Sequence, residues 1–130
     1  MMTVMDPAVT QLLDISVEAL RAAGAQFGYL HGSHATDRAR ADSDVDVAAY
    51  FGRRDVLGSD LLLPAGADLL VLDSAPLELA GRVAATGVLL FEVDPDLRVR
   101  WEAMTRKIYF DERPRFERAH REFIASVRHG

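Results

Sequence analysis

Apolar and polar positions change period several times along the chain, and each change marks an element. Leu12, Leu13, Val17 and Leu20 recur near helical spacing, while Gln11, Asp14, Glu18 and Arg21 take the other side. Asp6-Pro7 ahead of them reads as an N-cap followed by proline at the first helical position, and Gly24 as the C-cap. Residues 27–30 are an apolar run that predicts a strand. In residues 44–51, Val45, Val47 and Ala49 alternate with Asp44, Asp46 and Ala48, which predicts a second strand. Residues 55–63 suggest a short helix, with Pro64 and Gly66 returning the chain to a third strand over 68–72. Residues 76–86 predict a helix that Gly87 stops, and 88–91 a fourth short strand. Asp73-Ser74-Ala75-Pro76 reads as the cap and start of that helix. Asp94-Pro95 opens another helical stretch, in which Leu97, Trp101, Met104 and Ile108 recur at three- and four-residue intervals. Trp101 there reads as a core anchor rather than a base-stacking platform. Residues 111–130 form an amphipathic tail, with Pro114 near its start and Phe116, Phe123, Ile124 and Val127 set among arginines.

This pattern predicts an α+β domain: a small mixed β-sheet of three to four strands flanked by helices. The length of 130 residues fits a single domain, 1–130, with a C-terminal helical tail from about 111–130. With 49% of residues apolar, the chain can bury a core. The net charge of −5 excludes a surface that is one continuous nucleic-acid footprint. There is no cysteine, which excludes disulfides and thiolate metal sites. No apolar run approaches a membrane span, and Asp6 with no early Lys or Arg is unlike a secretory leader. A cytoplasmic protein with no membrane partner is the expectation.

The candidate chemistry lies between the first two strands. Gly32 lets the backbone turn sharply after the first strand. Ser33 sits where a short helix over 33–39 would begin. A strand, a Gly-Ser turn and a helix N-terminus aim free N–H groups and the positive end of the helix dipole at one place, an anion site. Asp44 and Asp46 follow after ten intervening residues. Residues i and i+2 of a strand share a face, so the two carboxylates point the same way and repel unless a cation lies between them. Oxygen ligands of this kind suit Mg²⁺, which is usually held by one or two carboxylates plus substrate phosphates. Alone, a Gly-Ser is an ordinary turn and an Asp-x-Asp an ordinary strand end. Together at this spacing they pair a phosphate cradle with a metal site.

The Gly32-Ser33, ten residues, Asp44-Val45-Asp46 arrangement resembles the signature of the polymerase-beta-type nucleotidyltransferase superfamily. The short chain resembles its minimal branch, the MNT antitoxins that pair with HEPN ribonuclease toxins. The likeness runs from about residue 27 to 91. It implies a polymerase-beta palm-like fold, ATP as substrate and two Mg²⁺ ions. Asp44, Asp46 and Asp68 would be the metal-binding and catalytic carboxylates, and Gly32, Ser33 and Ser43 would hold the nucleotide. Asp68 would lie on the metal nearer the acceptor hydroxyl and help remove its proton. The third carboxylate falls on Asp68 because the family places it in an Asp-Leu-hydrophobic-hydrophobic context, here Asp68-Leu69-Leu70-Val71. Asp73 is its rival, and without a sheet register geometry does not choose. One departure stands out: the family carries a small residue four places after the serine, and this chain has Asp37, which must point away from a phosphate or be neutralised by Arg38 or Arg40.

The resemblance further implies an antitoxin that transfers AMP to a tyrosine of a HEPN toxin within a hetero-oligomer. The competing readings are an antitoxin that neutralises by binding alone and a small-molecule, aminoglycoside-type nucleotidyltransferase. The second of these generally needs an extra acceptor domain. Nucleic acid as direct substrate is disfavoured by the acidic charge. Arg115 and His120 match the Arg-x4-His spacing of HEPN ribonucleases, but those are all-helical, and Arg is frequent in this tail. His31, His34 and His129 lack a zinc spacing, and His31 reads as a strand-end residue.

Overall fold

A computed structural model describes residues 6–32, 35, 44–53, 55–57 and 61–129. Its elements follow the order α1 (Pro7–Ala22), β1 (Phe27–His31), β2 (Val45–Tyr50), β3 (Ala67–Val71), α2 (Leu77–Thr86), β4 (Val88–Glu92) and α3 (Pro95–His129). The four strands form one sheet in the order β3-β2-β1-β4. β1 runs antiparallel to both β2 and β4, and β2 runs parallel to β3. The sheet is therefore mixed, as expected.

Strand alternation decides which helix covers which face. Val45, Val47 and Ala49 of β2 are buried with Leu30, Val71 and Phe91 beneath Leu13 and Leu20 of α1. The opposite face carries Phe27, Tyr29 and Ala48 beneath Ala80 and Val83 of α2, with Tyr50, Leu70, Leu97 and Trp101 packed around them. Trp101 of α3 closes this second core. Its ring lies 5.4 Å from Phe27 and 5.8 Å from Tyr29, centroid to centroid, and Phe27 stacks on Tyr50 at 5.0 Å. This is the core anchor that the periodicity predicts. A polar strut reinforces it: the Tyr29 hydroxyl donates to Glu102 at 2.6 Å, and Arg98 bridges Glu102 to Glu92 of β4. Burial and the Glu102 carboxylate hold the Tyr29 phenol well above its usual range, so it remains a donor at any physiological pH.

Local chemistry accounts for most element ends. Asp6 caps α1 by accepting from the Ala8 N–H at 2.8 Å, with Pro7 following it, and Gly24 leaves the helix at φ +91°. Asp94 caps α3 through the N–H groups of Asp96 and Leu97.

Three expectations are corrected. Among the described residues of 55–63 there is no helix. Leu61 and Leu63 pack toward the α1-side core while Leu62 between them is 96% exposed, an extended two-residue alternation that helical spacing cannot satisfy. Asp73 does not cap α2, whose N-cap position is Pro76 with no side-chain cap bond. The Asp73 carboxylate instead accepts from the backbone N–H groups of Phe51, Gly52 and Arg53 at 2.9, 2.8 and 3.1 Å. The last helical stretch and the tail are one continuous 35-residue helix that contains Pro114. Interior proline costs about 3 kcal/mol in lost hydrogen bonding and ring clash. Here the proline is solvent-exposed, and the inward stripe bridges it, with the Tyr109 and Phe116 rings 6.5 Å apart.

α2 and α3 pack through Gly81, which is buried because Tyr109 lies directly on it; a Cβ there would collide with the Tyr109 side chain. Gly81→Ala should therefore destabilise the fold even though alanine is the better helix former by about 1 kcal/mol. Overpacking of this kind costs about 1–3 kcal/mol, so after the gain in helix propensity urea unfolding should show a net loss of up to about 2 kcal/mol. An unchanged or raised midpoint would mean that Tyr109 does not depend on this contact.

Candidate functional site

The candidate carboxylates gather at one end of the sheet, on the face that α2 and α3 cover farther along. Parallel pairing puts Asp46 opposite Asp68 across β2 and β3, and antiparallel pairing puts His31 opposite Asp46 across β1 and β2. Three neighbouring strands thus present Asp68, Asp46 and His31 in one row, at the spacing of about 4.8 Å between strands. Asp46 shares its face with Ala48 and Tyr50, and Asp68 shares its face with Leu70, all packed toward α2 and α3. The row forms where that apolar cover ends.

The local sequence explains the arrangement. Val45 and Val47 are fully buried under α1, which leaves Asp46 no choice but the other face. The same logic applies to β3, where Leu69 packs toward α1 and Asp68 is exposed. Asp46 is half-buried and Asp68 exposed. Gly32 turns away from β1 with φ +74°, a conformation that side chains other than glycine rarely adopt. A Cβ on Gly32 would strike the Asp46 carboxylate, so the turn and the carboxylate are in intimate contact. The Gly32 turn and the Asp46–Asp68 pair thus lie side by side at this end of the sheet.

Asp44 is exposed and lies one residue before β2. Among the described residues, no group of three or more His, Asp or Glu is gathered closely enough to hold a metal ion. The donor chemistry still fits Mg²⁺, because that ion commonly takes one or two carboxylates and completes its shell with water and substrate phosphates. The Asp46–Asp68 pair supplies such a donor set. Ser33 and Ser43, the short helix over 33–39, His34, Asp37, Arg38 and Arg40 lie outside the described residues. Asp73 is committed elsewhere, its carboxylate saturated by three N–H donors at the far end of β2. The register therefore sets Asp68, not Asp73, beside Asp46.

His31 is the neighbour that sequence reasoning passed over as a strand end. Burial pushes its imidazole below the ordinary value, against the pull of Asp46 and a hydrogen bond to the Val47 backbone. It is thus neutral at pH 7 and adds no charge to the row. The position just before Gly32 was visible in the sequence, but only the strand register ties it to Asp46.

Comparison with known proteins now has a geometry to meet. The family model for polymerase beta nucleotidyltransferases matches residues 18–96, more than half of the chain and all of the row just described. The chain belongs to this family. Solved structures agree on the fold. A chain from the crystal structure of a toxin–antitoxin with AMP-PNP superposes with a TM-score of 0.62 at 21% identity, covering 83% of this chain and 98% of that one. The MntA-HepT toxin–antitoxin gives 0.60 at 21% identity, with 93% and 99% covered. A complex of a tri-AMPylated Shewanella oneidensis HEPN toxin with an MNT antitoxin gives 0.58 at 19% identity, with 85% and 98% covered. No curated protein sequence matches the chain. No helix among the described residues is long and apolar enough to cross a membrane.

Replacing both Asp44 and Asp46 with alanine should reduce Mg²⁺-dependent nucleotidyl transfer by about 100-fold or more, the usual cost of losing a charge-stabilising group at a reacting centre. The metal-free double variant should unfold at the same temperature as the wild type or slightly above it, because a repelling pair has been removed. Full activity in that variant would take these carboxylates out of the site.

Proposed function

We propose that this nucleotidyltransferase-family chain is an antitoxin that transfers AMP from ATP to a tyrosine of a HEPN-type ribonuclease toxin and so neutralises it. The observation that carries the reading is the Asp46–Asp68 pair set against the Gly32 turn. The fold likeness to toxin–antitoxin proteins, one of them with AMP-PNP and one with an AMPylated toxin, supports the substrate and the partner.

The chemistry is a displacement at the α-phosphate. The acceptor oxygen forms a bond to the α-phosphorus, the α–β anhydride bond breaks, and pyrophosphate leaves with the electron pair. Mg²⁺, when bound, stabilises the attacking and leaving oxygens together. The protein's own part is placement. Asp46 and Asp68 hold the cationic side of the site, with Asp44 as a further ligand at the entrance. Asp68, the more exposed of the facing pair, is nearest to an incoming acceptor and takes the phenolic proton. Gly32 lets the backbone approach the triphosphate, and Ser33 and Ser43 supply hydroxyl donors in this reading. Neutral His31 beside Asp46 leaves the negative charge of the row undiminished for the cation.

The experiment is to incubate the chain with ATP labelled in the α-phosphate, Mg²⁺ and a purified HEPN-type ribonuclease toxin. Label should appear on a tyrosine of that protein, and its ribonuclease activity should fall in step. Neutralisation without label would show an antitoxin that acts by binding alone. Label on an aminoglycoside, with none on protein, would show a small-molecule transferase.

A further inference from the structure

Among the described residues, nothing covers the second half of α3. α2 runs antiparallel to α3, with Gly81 against Tyr109 and the Ala84 carbonyl accepting from Arg106. Because α2 begins at Leu77, its cover ends about one turn beyond Tyr109. Residues 113–129 therefore overhang by roughly 25 Å at 1.5 Å per residue. The inward stripe of the helix does not end there. Tyr109, Phe116, Phe123 and Val127 fall within about 40° of one another around the axis. Along this line exposure rises from 9% at Tyr109 to 66% at Phe123 and 65% at Val127. The same face that makes the core under α2 thus continues into solvent, its apolar side chains flanked on that face by Arg113 and His120.

Its charge is also distinct. Residues 113–128 carry five arginines against two glutamates, in a chain whose net charge is −5. Arg121 and Arg128 border the stripe on one side, beyond Ile124, and neither forms an ion pair among the described residues. Glu122 borders the other side.

A second copy of the chain does not fit this face. In an antiparallel pair the same patch meets itself, so the two arginine borders would oppose each other. In a parallel pair the two α2 helices, each packed on this same face of its own α3, would be driven into each other. What fits is a different protein, with an apolar groove between helices and carboxylates along one rim.

We propose that residues 113–128 of α3 are the arm that docks the acceptor protein, seating Phe116, Phe123 and Val127 in such a groove with acidic side chains along the Arg121–Arg128 border. This rests on the reading of the acceptor as a helical toxin. The arm supplies the positioning that brings a tyrosine to the Asp46–Asp68 row.

The test uses the full chain with a purified HEPN-type toxin as the partner. Phe123→Glu with Val127→Glu should weaken binding about 30-fold or more, the scale of a lost interface hot spot, with an equal drop in AMP transfer onto that protein. AMP-PNP binding and thermal unfolding of the double variant should match the wild type. Arg121→Glu with Arg128→Glu should weaken binding by roughly tenfold at low salt and less at high salt, and the two lysine replacements should restore it. If the wild type labels the partner and the Phe123/Val127 variant labels it equally well, the docking arm is wrong and the functional reading stands. A wild type that neither binds nor labels the partner overturns both. A wild-type dimer by light scattering that the variant dissociates would assign the face to a second copy instead.

Discussion

The site depends on one pairing, the parallel register of β2 with β3. A shift of a single residue would turn every β3 side chain to the other face. Asp68 would then point under α1, and Leu69 would enter the row. Several bonds hold the register. Val45 donates to the Gly66 carbonyl at 2.7 Å where the strands begin, and Leu72 donates to the Ala49 carbonyl at 2.9 Å where they end. Just past that end, the Asp73 carboxylate gathers the N–H groups of Phe51, Gly52 and Arg53. A carboxylate with three amide donors is among the stronger arrangements available to a side chain. The residue that rivalled Asp68 as a metal ligand is thus a fastener for the strands that carry it.

The same economy governs the two sides of the sheet. The α1 face is closed mostly by aliphatic side chains, with Phe51 and Phe91 among them, whereas the α2–α3 face is closed by an aromatic group and the Tyr29–Glu102–Arg98–Glu92 strut. That cover stops short of His31, Asp46 and Asp68, so the polar row opens where the apolar one ends. α3 serves both ends of this design. Its first half builds the second core, and its second half carries the same stripe out beyond the domain.

Much of this was legible in the chain. The alternation of Val45, Val47 and Ala49 with Asp46 and Ala48 gave the strand and the face of its carboxylate, and Asp6-Pro7 gave the start of α1. The spacing of Gly32 and Asp46 suggested that the two lie together, and the structure places the Asp46 carboxylate against Gly32. Long-range pairing was not legible. Nothing local to Asp73 says that its partners are amides some twenty residues earlier, and nothing local to His31 says that it faces Asp46. Leu61-Leu62-Leu63 is a short apolar run whose period is ambiguous, and only burial against α1 shows it as extended. The tail with Pro114 near its start read as a segment apart from the preceding helix, because sequence shows the cost of an interior proline but not the packed stripe on either side of it.

The central claim is that Asp46 and Asp68 together hold a divalent cation beside the Gly32 turn. Paramagnetic broadening of amide resonances by Mn²⁺, with AMP-PNP present, tests it directly. The account predicts that the signals of Gly32, Asp46 and Asp68 vanish first, and that those of Phe51, Gly52 and Arg53 around Asp73 survive. Broadening centred on Asp73, or spread evenly over the acidic surface, would contradict it.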